Sequence, residues 1–171
     1  MSPYYDEVLH EVASSIQARG SLGKAGIGAL VFWKRINASA RWAARLHAVP
    51  DAVVRMATAR AIELVTDRTL SLEDAARAGR EALLELPGFA SGPALASAVL
   101  TAAAPQRMAV YDRRVVEGFK TLGVPLTPVG VYSGYMARLD ALLADAPAGP
   151  ARSWVPRDLD LALFTLGGKG G

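Results

Sequence analysis

A short turn made of a leucine, a proline and a glycine is the part of the sequence best suited to bind a ligand. Leu86, Pro87 and Gly88 separate two alanine-rich segments whose apolar spacing predicts helices. The glycine permits a positive φ and lets an anion approach the backbone, and a helix that starts near Pro93 turns its positive dipole end the same way. The pattern indicates a phosphate site, and the same residues also suit a plain turn between two packed core helices.

Asp112 has the position and the chemistry of a helix N-cap. It precedes a segment with helical spacing that ends at Leu122-Gly123, so it suits the N-cap position of that helix. A carboxylate can also stabilise positive charge on a substrate, by roughly 4 kcal/mol at about 4 Å with an effective dielectric constant near 20. This free energy corresponds to about three decades in rate. We therefore expect Asp112 to cap its helix, and either to do only that or to take part in catalysis as well.

The stretch LPGFASGPALASAVLTAAAPQRMAVYDRRVVEGF resembles the helix-hairpin-helix DNA glycosylase superfamily, which includes endonuclease III and 8-oxoguanine DNA glycosylase. In that superfamily a leucine-proline-glycine hairpin joins two helices and holds a DNA phosphate, and an aspartate about one helix later is catalytic. Asp112 follows Gly92 by 20 residues, which is within the family's spacing. The resemblance is greatest to small uncharacterised bacterial members with an 8-oxoguanine glycosylase fold.

The resemblance implies both a fold and an activity. The fold is an all-α, single-domain helical bundle with the helix-hairpin-helix motif at about residues 72–104. The activity is hydrolysis of the N-glycosidic bond of a base flipped out of double-stranded DNA, with Asp112 as the catalytic carboxylate. The resemblance implies no cofactor and no metal ion held by side chains. It allows K⁺ or Na⁺ on the backbone carbonyls near Leu86 and Gly88.

Two positions of the hairpin depart from the family pattern. Ala90 stands where a second glycine is usual, so a weaker grip on phosphate is expected. Gly92 stands where bifunctional members carry the lysine that forms a Schiff base, so strand cleavage by that residue is not expected and a monofunctional hydrolase remains. Gly88, Ala90 and Gly92 are the hairpin residues expected to contact DNA.

Five further polar side chains are expected to face DNA. They are Lys34, Arg35, Asn37, Arg113 and Arg114. The first three lie where the resemblance places a DNA-facing loop, and the last two follow Asp112; each would also suit a solvated surface. Tyr111 and Trp33 are candidates for stacking on a flipped base, whereas Trp42 is expected in the core.

Apolar spacing and helix punctuation predict the elements that carry these residues. The predicted helices run from about Pro3 to Ala18, Ala29 to His47, Asp51 to Val65, Ser71 to the residue before Pro87, Pro93 to the residue before Pro105, Asp112 to Leu122, Val131 to Ala144, and from Pro156 onward. A glycine-rich break is predicted from Gly20 to Gly28. In the helix that follows this break, Lys34, Arg41 and Arg45 are predicted to share one face.

Composition limits the class of protein. A chain of 171 residues, 51% of them hydrophobic, is sufficient for one core, so we expect a single domain over residues 1–171 with a flexible tail at 167–171. The absence of cysteine excludes disulfides and thiolate metal sites. No apolar run reaches the roughly 20 residues of a membrane span, and the first residues do not resemble a secretory signal, so we expect a cytoplasmic protein. We also expect it to be a monomer.

Charge is distributed unevenly along the chain. Between Arg19 and Arg60 there are eight basic residues and one acid, whereas residues 61–100 contain three basic residues and six acids. Such asymmetry can form a surface that faces phosphates, or a solvated helical face.

Three functions are compatible with these features. The first is a monofunctional base-excision enzyme that depends on Asp112. The second is a non-enzymatic helix-hairpin-helix module that binds duplex DNA, and the third is a helical protein-interaction domain. Excision of a modified base that Asp112→Asn abolishes would indicate the enzyme. Salt-dependent duplex binding that Asp112→Asn leaves unchanged would indicate the binding module, and absence of duplex affinity at low salt would leave the interaction domain.

Overall fold

The computed structural model describes residues 4–37, 41–124, 126, 131–145 and 154–168. Within these ranges the chain forms helices and turns without a β-strand, so the all-α prediction is confirmed. The helices are α1 (Glu7–Arg19), α2 (Lys24–Trp33), α3 (Arg41–Ala48), α4 (Asp51–Thr66), α5 (Leu72–Glu81), α6 (Pro93–Ala103), α7 (Arg113–Thr121), α8 (Val131–Asp145) and α9 (Pro156–Gly167). None of these helices is long and apolar enough to cross a membrane.

Helix α6 is the centre of the fold. Every residue from Leu95 to Ala102 is buried, because the helix is apolar or small on all sides and contacts α1, α2, α4, α5 and α8. One continuous hydrophobic core includes residues from each of the helices named above.

Local sequence signals set the starts of three helices where they were predicted. Ser71 caps α5, and its hydroxyl accepts a hydrogen bond from the Asp74 backbone N–H at 3.0 Å. Pro93 occupies the first turn of α6, where a missing N–H costs nothing. Asp112 caps α7. The end of α5 was predicted less well, because the helix stops at Glu81 and turns fill the space before α6.

The prediction of one long helix from Ala29 to His47 is wrong. The structure has α2, which begins inside the predicted glycine-rich break, and a separate α3. Helix α2 ends because Arg35 adopts a left-handed φ of 51° and the next residue, Ile36, donates its N–H to the carbonyl of Val31 at 2.9 Å. Lys34 thus lies at a helix end, and it does not share a helix face with Arg41 and Arg45.

Two glycines bring α7 and α9 into direct backbone contact. A Cβ atom at Gly118 would overlap the carbonyl of Leu163, and one at Gly167 would overlap the carbonyl of Arg114. Gly167 is the last residue of α9 and is packed, so its assignment to a flexible tail is wrong. The end of that predicted tail, residues 169–171, lies outside the described residues.

Candidate functional site

A cleft of about 670 Å³ lies between the end of α2, the start of α7 and the last turns of α9. Six residues that the sequence singled out line this cleft: Trp33, Lys34, Arg35, Asp112, Arg113 and Arg114. Tyr5 and Phe164 complete its aromatic walls. The structure therefore places Lys34 and Arg35 of the predicted DNA-facing loop in one concave site with the predicted catalytic carboxylate.

Asp112 has a different partner on each of its carboxylate oxygens. Oδ1 accepts a hydrogen bond from the backbone N–H of Val115 at 3.0 Å, and this bond caps the helix. Oδ2 accepts a hydrogen bond from the ammonium of Lys34 at 3.0 Å. Each oxygen can accept a second hydrogen bond, and the side chain keeps 20% of its surface exposed. The carboxylate is thus fixed in orientation and still open to a ligand in the cleft.

Lys34 is enclosed, although the sequence predicted a residue facing DNA. Only 8% of its side chain is exposed. Its Nζ lies 5.3 Å from the ring centroid of Trp33 and 5.8 Å from that of Phe164, both within the range of cation–π attraction. Its ion-pair partner Asp112 is 78 residues away in the sequence, so the pairing has no local sequence signal.

A buried cluster of charges supports the wall of the cleft behind Trp33. Arg157 pairs with Asp160 on its own helix and with Asp6 at 2.8 Å, and its guanidinium lies 5.5 Å from the Trp33 ring. Burial raises the pKa of Asp160 to about 6, against the opposing effect of Arg157. The indole N–H of Trp33 donates to the carbonyl of Tyr5 at 2.8 Å. These contacts fix the ring of Trp33 in position.

Three arginines surround the mouth of the cleft. Arg35, Arg113 and Arg114 are exposed, and the guanidinium of Arg114 lies 4.9 Å from the ring centroid of Phe164. Together with Lys34 they outnumber the one carboxylate of the lining, Asp112. The mouth therefore favours an anionic ligand.

Gly88 has the positive φ that the sequence predicted, and Gly92 also has a positive φ, but the space around the two glycines differs. Gly88 has a φ of 98° and Gly92 a φ of 149°. The ring of Trp42 fills the space next to Gly88, since a Cβ there would lie 2.5 Å from the Trp42 Cε3 atom. No described atom lies within 4 Å of the equivalent position at Gly92, and Ala90 is exposed. Gly92 and Ala90 are thus more accessible than Gly88. The contact of all three residues with DNA stays a prediction.

The residues of the hairpin are not part of the described lining of the cleft. The N–H of Tyr111 donates to Ser97 Oγ at 3.0 Å, and Ser97 lies five residues after Gly92, or about 7.5 Å along α6. Gly92 and Asp112 are therefore within about 20 Å of each other.

Two other predicted site residues lie outside the cleft lining. The ring of Tyr111 packs edge-on against Tyr135 with centroids 5.4 Å apart, and burial raises its pKa. It has no contact with the cleft that would support base stacking. Asn37 is exposed beyond Arg35 and is not part of the lining.

The carbonyls proposed for a monovalent cation already accept hydrogen bonds. The Leu86 carbonyl accepts the Phe89 N–H at 3.2 Å, and the Gly88 carbonyl accepts the Ser91 hydroxyl at 3.0 Å. Each of these carbonyl oxygens has a second lone pair, so K⁺ or Na⁺ at this position stays a prediction. Among the described residues no group of three or more His, Cys, Asp or Glu side chains could hold a metal ion.

Comparison with protein-family models, with the curated proteins and with the solved structures found no match. The fold and the site define an all-α protein whose arginine-rimmed cleft contains an aspartate–lysine pair.

The left-handed conformation of Arg35 is expected to reduce stability. A side chain at this φ costs roughly 1–2 kcal/mol, which glycine avoids. We expect Arg35→Gly to raise the free energy of unfolding in urea by about 1 kcal/mol. Arg60→Gly, in the exposed middle of α4, is the control and should lower it by about 1 kcal/mol. Equal losses in both variants would contradict the strain at Arg35.

Proposed function

We propose that this chain binds DNA and removes a base by hydrolysing its N-glycosidic bond, with Asp112 as the catalytic carboxylate. The observation that carries this proposal is the position of Asp112 in a cleft with aromatic walls and an arginine rim. The arginines suit the phosphates of double-stranded DNA. The half-buried rings of Tyr5 and Phe164 offer apolar faces to a base that has left the helical stack.

In the proposed reaction, Asp112 stabilises positive charge on the sugar. The bond from C1′ to the base nitrogen breaks, and the base leaves with the electron pair and takes up a proton. Water then forms the new bond to C1′ and releases a proton to the carboxylate. Lys34 and the Val115 N–H hold the two oxygens in place, so the negative charge is already oriented before the bond breaks.

The proposal is tested on a panel of duplexes that each contain one modified base. Alkali cleaves the strand at any abasic site that the protein produces, so excision is read as a shortened strand. Cleavage at one modified base supports the proposed enzyme. Salt-dependent duplex binding without excision on the whole panel would instead indicate a non-enzymatic DNA-binding module. Absence of duplex affinity at low salt would leave a protein-interaction domain.

The presence of Lys34 in the lining of the cleft favours a second candidate activity, which is a lyase acting on abasic DNA. The Lys34 ammonium loses a proton to water, and the free amine adds to the C1′ aldehyde of the open-chain sugar. Loss of water gives a Schiff base. Loss of a C2′ proton then expels the 3′ phosphate and cleaves the strand, and hydrolysis returns the amine. Here the amine comes from the end of α2, whereas the hairpin has Gly92 at the lysine position of the family.

Borohydride trapping tests the lyase directly. Wild-type protein mixed with preformed abasic DNA and sodium borohydride is expected to give a covalent adduct, because the reductant converts the Schiff base to a stable secondary amine. Lys34→Gln should give at least a hundredfold less adduct. The control is Lys120→Gln, an exposed lysine of α7 paired with Glu117, which should trap like wild type. Equal trapping by wild type and Lys34→Gln would contradict this activity.

A further inference from the structure

A second cavity adjoins the cleft at the end of α2. Its volume is about 740 Å³, and it shares Tyr5, Trp33 and Arg35 with the cleft. Its other walls are formed largely by apolar and aromatic side chains, Tyr4 and Phe32 among them. We call this cavity the Tyr4–Phe32 groove. The cleft and the groove thus meet at these three shared residues.

The groove displays the two most exposed large hydrophobic side chains of the described residues. Phe32 is 77% exposed and Tyr4 is 70% exposed. Single exposed apolar residues are common, but two aromatic residues beside one cavity form a patch that favours an apolar or planar ligand. Aromatic faces next to a cation are typical of surfaces on which unpaired bases stack.

Arg35 connects the two cavities. It lines both of them, and it holds this position in a left-handed conformation that glycine would adopt without cost. Strained backbone at a residue that lines two cavities is often retained for function. A guanidinium here is placed to bind a phosphate between two adjacent ligand units, because Arg binds phosphate oxygens in pairs.

We propose that the Tyr4–Phe32 groove is a second nucleobase subsite, which holds an unpaired base next to the nucleotide in the cleft while Arg35 binds the phosphate between them. This inference rests on the proposed function, because the cleft supplies the first nucleotide position. It also specifies the substrate class: DNA that is locally unpaired beside the target, as in a bubble or a single strand, binds more tightly than fully paired duplex.

The test compares three fluorescent probes of equal length by anisotropy: a single strand, a duplex with a three-nucleotide bubble, and a fully paired duplex. Phe32→Ala is expected to weaken binding of the first two by about tenfold, as loss of one base stack does, and to change binding of the paired duplex by less than twofold. The control is Met56→Ala, an exposed apolar residue of α4, which should leave all three affinities unchanged. Because Phe32 is exposed, the thermal midpoint of Phe32→Ala should match that of wild type.

Several results would overturn the subsite. Equal effects of Phe32→Ala on all three probes, or no effect on any, would show that no unpaired base lies in the groove. If Phe32→Ala converted a wild-type dimer to a monomer in sedimentation and left DNA affinity unchanged, a second copy of the chain would be the occupant of the groove. Different results would contradict the proposed function itself. These are wild-type protein that binds none of the probes, and wild-type protein that binds DNA without excising any base.

Discussion

Replacing Asp112 with asparagine is expected to lower the rate of base excision by about three orders of magnitude, while the affinity for duplex DNA stays within a few fold of wild type. The amide has no charge to offer the sugar, and a unit charge about 4 Å away with an effective dielectric constant near 20 stabilises it by roughly 4 kcal/mol. The amide oxygen can still accept the Val115 N–H, so the cap of α7 is retained. Single-turnover rates and equilibrium binding measure the two effects separately.

Asp74→Asn is the matched control for this prediction. Asp74 is an exposed carboxylate in the first turn of α5, and it is absent from the lining of the cleft. Its replacement should leave the excision rate unchanged. Asp112→Asn with the wild-type rate on the excised base would contradict the catalytic role, and an equal loss in both variants would indicate that the substitutions act through stability.

Gly118→Ala is expected to lower the free energy of unfolding by about 3 kcal/mol, at the upper end of the usual cost of overpacking. The added methyl group would overlap the backbone carbonyl of Leu163, and a backbone atom in a helix cannot move aside as a flexible side chain can. Helix α7 follows Asp112 and α9 carries Phe164, so separating them should also reduce excision. Urea unfolding measures the loss of stability.

Gly28→Ala provides the comparison for Gly118→Ala. Gly28 is also within a helix, α2, and no described atom lies within 4 Å of the place where its Cβ would be. Alanine there should stabilise the protein by up to about 1 kcal/mol, because it favours the helical backbone. Similar gains in both variants would show that α7 and α9 are not in backbone contact at Gly118.

The elements that could be predicted are those with strong local signals. Ser71, Pro93 and Asp112 mark helix starts by residue type alone, since each meets a local need of the first turn. The end of α2 has no such mark. Arg35 takes a conformation usually left to glycine, so the apolar spacing of residues 29–47 suggested one uninterrupted helix.

The sequence identified six residues of the candidate site, and it did not identify the contacts between them. Asp112 and Lys34 were both identified, but their ion pair joins residues far apart in the sequence, and only the packing of α2 against the core brings them together. Phe164 gave no signal beyond that of an apolar helix residue. The pair Arg157 and Asp160 has a spacing of three that suits an ion pair on one helix, whereas its link to Asp6 depends on tertiary structure.

The central claim is that Asp112 stabilises a cationic sugar in the cleft. Its most direct test compares two duplexes with abasic analogues: a pyrrolidine ring that carries a positive charge and a neutral tetrahydrofuran ring. Wild-type protein is expected to bind the pyrrolidine duplex at least tenfold more tightly, and Asp112→Asn should remove this difference. Equal affinity of wild-type protein for the two duplexes would contradict the claim.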